Sequence, residues 1–136
     1  QTLVHGDAKL ANFCFPDDRD TNRLAAVDFQ YVGKGVGVKD LAYFLGACLN
    51  QDDLFNHEQS LLDEYFSHLK HALYHNQIDV DFMPLQQEWR TLYPLVWADF
   101  CRFLLGWSPG HYKINPYMHK QTDIALAILA NLMGSK

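Results

Sequence analysis

The segment His5-Gly6-Asp7-Ala8-Lys9-Leu10-Ala11-Asn12, followed by Val27-Asp28-Phe29-Gln30, decides how this chain is read. Between the two lie short apolar runs, Asn12-Phe13-Cys14-Phe15 and Leu24-Ala25-Ala26-Val27. These flank Pro16-Asp17-Asp18-Arg19-Asp20-Thr21-Asn22, a dense turn signal, so the pattern predicts a β-hairpin. The hairpin would fold Asp28 back beside Asn12 and Asp7, although Asp7 and Asp28 stand 21 positions apart. Two carboxylates and an amide gathered in this way suit a metal–phosphate site. Phosphoryl transfer needs a base near the acceptor hydroxyl and hard oxygen ligands for nucleotide-borne magnesium.

In that reading Asp7 is the general base, and Asn12 and Asp28 supply the metal ligands. Lys9, two positions after Asp7, reaches the transferred phosphoryl group and offsets charge building there. Gly6 permits a tight turn, and His5 braces the loop by hydrogen bonding. Asp40 either caps its helix or buttresses the catalytic loop from behind. The bland alternative is that Asp and Asn in loops simply cap turns. A second acidic motif at hairpin distance favours the chemical reading over it.

Outward from the motifs, Leu3-Val4 reads as a short strand leading into the loop. Tyr31 to Val38 reads as a flexible loop; its Gly33-x-Gly35-x-Gly37 spacing does not match a G-x-G-x-x-G phosphate loop. Helices are predicted from Lys39-Asp40 through Cys48, with Leu41, Phe44, Leu45 and Cys48 inward, and over His57–His75. A third is expected over roughly 85–105 behind Pro84, and a fourth from Tyr117 with Ile124, Ala127, Ile128 and Leu132 packed. The fold class is α+β and mainly helical, a β-hairpin patch on one helical body covering residues 1–136.

The charge balance, 11 basic against 16 acidic residues, gives −5, with no basic stripe for nucleic acid and no polybasic membrane anchor. Three cysteines, odd in number, widely spaced and never in a C-x-x-C pattern, point to a reducing compartment, and a cytoplasmic location is expected. Arg90, Asp99 and Arg102 interrupt the most apolar stretch, which favours a buried helix over a membrane span. The chain opens on Gln1 just ahead of the first motif, which reads as a fragment.

His68, His71 and His75 share a helical spacing that suits a metal site or, more simply, a solvated face. The aromatic series Trp89, Tyr93, Trp97, Phe100 and Trp107 suits core packing or an acceptor pocket lined by Trp97 and Trp107. Asp99 and Arg102 read as acceptor contacts or as an ion pair.

His5-Gly6-Asp7 with Asn12-Phe13, Asp28-Phe29-Gln30 and Asp40-Leu41-Ala42-Tyr43-Phe44-Leu45 resemble the motifs of the aminoglycoside phosphotransferase/choline kinase superfamily. The closest likeness is to its choline-kinase-like and ecdysteroid-kinase-like branch, over residues 3 to about 49. The order also parallels the protein-kinase pattern H-R-D-x-x-x-x-N then D-F-G, with Gly6 for the arginine and Gln30 for the last glycine. The resemblance implies a kinase-like fold, ATP, Mg2+ and γ-phosphoryl transfer to a small-molecule hydroxyl acceptor. It places Asp7 as base and Asn12 and Asp28 on metal. It also implies an N-terminal ATP-covering lobe, whose phosphate loop and lysine–glutamate pair are not found in these residues. Residues 1–136 alone are therefore expected to be a C-terminal lobe of poor activity. A pseudokinase-type nucleotide-binding or scaffold module is the alternative.

Overall fold

A computed structural model describes residues 1–17 and 24–134. It divides into two compact units, Gln1–Leu49 and Asn50–Lys136.

In the first unit, β1 (Thr2–Val4), β2 (Phe13–Cys14), β3 (Ala25–Ala26) and β4 (Gly33–Gly35) precede helix α1 (Val38–Cys48). β2 and β3 pair antiparallel, with Phe13 opposite Ala26 and Cys14 opposite Ala25. This is the hairpin the apolar runs predict; residues 18–22 of its expected turn lie outside the described residues. β1 pairs antiparallel with β4, Thr2 opposite Gly35 and Val4 opposite Gly33. The stretch expected to be a flexible loop is thus partly a strand. Glycine carries little strand propensity, so the pattern hides it. Here its lack of a side chain is what permits pairing, because a Cβ on Gly35 would lie 2.9 Å from Val4 Cγ2.

Helix α1 buries Val38, Ala42 and Leu45 at spacings of four and three. Leu41 and Phe44 are only half-buried and Cys48 is exposed, so the inward face is turned slightly from the one expected. Phe44 still meets Phe13 of β2 edge-on, at 5.5 Å between ring centroids.

The second unit is helical: α2 (Gln51–His75), α3 (Phe82–Trp107) and α4 (Pro116–Gly134). α2 starts six residues before the expected His57, because Asn50 caps it by accepting from the Asp53 N–H at 3.0 Å. α3 begins ahead of Pro84, which sits in the first turn, where a missing N–H costs no intrahelical bond. It buries Trp89, Tyr93, Trp97, Cys101 and Leu104.

α4 buries Tyr117, Met118, Gln121 and Ala125. Of the residues expected inward, Ile124, Ala127 and Leu132 are exposed and Ile128 is half-buried. Apolar residues lie all round this helix, so periodicity does not fix its rotation. Polar bonds do. The Tyr117 hydroxyl donates to Glu58 Oε2 of α2 at 2.6 Å, and the Gln121 amide donates to the same oxygen. Among the described residues no helix is long and apolar enough to cross a membrane.

Candidate active site

The hairpin register positions the site. The Val27 N–H donates to the Asn12 carbonyl at 2.9 Å, extending the β2–β3 ladder by one bond and setting Asp28 next to it. Asn12 closes a 3-10 turn over Leu10–Asn12 and is 5% exposed. Its Nδ2 donates to the Asp7 carbonyl at 2.9 Å and to Asp7 Oδ2 at 3.1 Å. With the nitrogen so committed, the amide oxygen is the atom that Asn12 can offer a cation.

Lys9 Nζ donates to the same Asp7 Oδ2 at 2.8 Å. That bond to Asp7 pushes the Lys9 ammonium above the ordinary lysine pKa, against a smaller desolvation effect; the negative charges of Asp7 and Asp28 add to the rise. Asp28 is exposed and sits in left-handed backbone, φ 63° and ψ 61°, leading into a 3-10 turn over Phe29–Tyr31.

The loop carrying Asp7 is held from three sides. Asp40 of α1 accepts from the His5 N–H at 2.7 Å and the Gly6 N–H at 2.9 Å. Of the two roles its position allowed, it takes the buttress, and α1 has no side-chain cap. His5 Nε2 bonds the Val27 carbonyl at 2.8 Å, and His5 Nδ1 faces the Asp7 N–H at 3.3 Å. This pattern puts the proton on Nε2. The His5 ring also packs against Phe13 and Phe29, at 5.9 and 5.2 Å between centroids. Gly6 turns the chain at φ +84° against the Tyr31 carbonyl.

His5, Gly6, Asp7, Lys9, Asn12 and Asp40 therefore share one hydrogen-bonded network, and Asp28 adjoins it through the hairpin. Tyr31 is the residue that sequence reasoning missed: its backbone packs on Gly6, and its phenol is close enough to bear on Lys9. No motif marks it; its place three residues after Asp28 was the only signal.

The tryptophans named for an acceptor pocket are not both surface residues. Trp97 is 2% exposed and packs edge-on against Tyr93 and Tyr117, so it belongs to the helical core. Trp107 is 68% exposed and stacks on Phe103. Asp99 and Arg102 form an exposed ion pair at 2.8 Å. Of the histidine series, His68 pairs with Glu64 at 2.9 Å. Among the described residues no group of three or more His, Cys, Asp or Glu side chains is arranged to hold a metal. The oxygens of Asn12 and Asp28 are too few to retain a free ion tightly. They fit magnesium that arrives on phosphates, since it keeps waters and needs only one or two protein ligands.

The sequence profile described as the ecdysteroid kinase-like family matches residues 1–78. The chain belongs to that family. No curated protein and no solved structure matches it. The ecdysteroid kinase-like family is part of the protein-kinase-like, choline-kinase-like branch, so its members are kinase-like phosphotransferases. The match takes in the whole candidate site and α2, whereas α3 and α4 lie beyond it.

Proposed function

We propose that this ecdysteroid kinase-like chain carries the catalytic residues of an ATP- and Mg2+-dependent phosphotransferase acting on a small-molecule hydroxyl. The observation that supports it most is the β2–β3 register: Val27 pairs with Asn12, Asp28 follows it directly, and the Asp28 charge bears on Lys9, which holds Asp7. Asp7 accepts or orients the acceptor proton, a contribution of ~10²–10⁴-fold. Its Oδ2 is held by the Asn12 amide, so Oδ1 is the atom we assign to the acceptor. Asn12 and Asp28 would hold magnesium, which when bound neutralises and aligns the nucleotide phosphates. Lys9 steadies the phosphoryl oxygens, while Asp40 and His5 keep the loop still. Residues 1–136 act, in this reading, as a C-terminal catalytic lobe that depends on an ATP-covering lobe for full activity.

Titrating Mg·ATP and assaying transfer to a panel of hydroxyl compounds tests this. Asp7→Ala is expected to abolish transfer while leaving Mg·ATP affinity within about twofold. Asp28→Asn is expected to weaken Mg·ATP binding as well. If both variants match wild type in both assays, the scaffold alternative replaces this reading.

A further inference from the structure

We propose that Lys9 is a tethered counter-cation: it neutralises Asp7 while the nucleotide is absent, opposes entry of free metal, and yields Asp7 when phosphates arrive. The proposal rests on the phosphotransferase reading above. The Asp7–Lys9 turn is fixed by its backbone. The Lys9 N–H donates to the Asp7 carbonyl at 2.8 Å, and Ala8 between them is 1% exposed. The Lys9 side chain leaves that rigid turn 46% exposed, so its ammonium can swing without disturbing packing. It ends 2.8 Å from Asp7 Oδ2, on the oxygen that Asn12 also contacts, and the Asp28 charge bears on it.

Lysine is a single mobile point charge on a flexible stem. A divalent ion held by Asn12 and Asp28 would therefore meet a like charge at close range. Free metal must work against Lys9. Metal delivered on a nucleotide need not, because the phosphates offer the ammonium a new partner as the ion binds. Lys9 then adds to the selectivity for the metal–nucleotide complex over the bare ion that the small number of protein oxygens already gives.

The test measures binding rather than turnover, with Mn2+ followed by electron paramagnetic resonance on the purified protein. Lys9→Met keeps the stem and removes the charge. It is expected to bind free Mn2+ roughly three- to tenfold more tightly than wild type, and Mn·ATP more weakly. Opposite signs in the two titrations are what a purely structural lysine would not produce. Lys9→Arg, which keeps the charge, is expected to lie closer to wild type than Lys9→Met in both. Adding Asp28→Asn to Lys9→Met should erase the gain, and a gain that persists overturns the proposal by placing the ion elsewhere. Free Mn2+ binding by Lys9→Met that is unchanged or weaker also overturns it. If neither wild type nor Lys9→Met binds Mn2+ with or without ATP, the metal–phosphate reading itself fails and takes this inference with it.

Discussion

A methyl group on Gly6 would sit 2.3 Å from the Tyr31 carbonyl oxygen, and φ there is +84°, where L side chains are strained. Gly6→Ala is therefore expected to cost about 2–3 kcal/mol in urea unfolding, since the obstacle is backbone and cannot rotate aside. Asp28 presents the opposite case. It holds φ 63° without being glycine, a conformation that costs non-glycine residues about 1 kcal/mol or more. Asp28→Gly is expected to keep or raise stability by up to about 1 kcal/mol while weakening Mg·ATP binding. Calorimetry of both properties on one sample would check the pairing of gain and loss. Strain held at position 28 is what the proposed metal role would account for.

Helix α1 holds the start of the His5–Asn12 segment through the Asp40 carboxylate. Asp40→Ala removes the acceptor of two backbone N–H groups and is expected to cost about 2–4 kcal/mol; Asp40→Asn, which keeps one acceptor, should cost less.

In the helical unit, burial is the main cause that raises the phenols of Tyr93 and Tyr117 above the ordinary tyrosine range. The unfolded chain ionises these groups near pH 10, whereas the folded one keeps them neutral. The stability they confer is thus fully present below about pH 10 and is lost as pH rises beyond it. An ultraviolet titration should leave the phenols of Tyr93 and Tyr117 silent until the protein unfolds.

What the sequence revealed at this scale depended on the kind of signal. Turn residues flanked by apolar runs made the β2–β3 hairpin legible, and helical spacing located α1 and α3. Two features left no such mark. β4 has glycine at both ends, whose contribution is an absent side chain, and the rotation of α4 is set by Tyr117 and Gln121 seeking Glu58. Bonds between residues some sixty positions apart cannot be read from local periodicity.

Across the molecule, binding and folding are linked. Mg·ATP at about 100 times its Kd is expected to add about 2.7 kcal/mol to stability, seen as a raised melting temperature that EDTA abolishes. That the candidate residues of the first unit gather was largely legible, because polar residues at fixed offsets survive without knowledge of packing. Tyr31 was not, since it meets Gly6 through its backbone, which no side-chain pattern marks.

Glu58 sits inside the stretch shared with the family, yet it anchors Tyr117 and Gln121, which fall outside that stretch. Losing the carboxylate would strand two buried donors, so drift at position 58 is tolerable only when 117 and 121 change in step. Comparing sequences of relatives should show these three columns co-varying, and the partnership would then give a fixed point for aligning residues beyond 78.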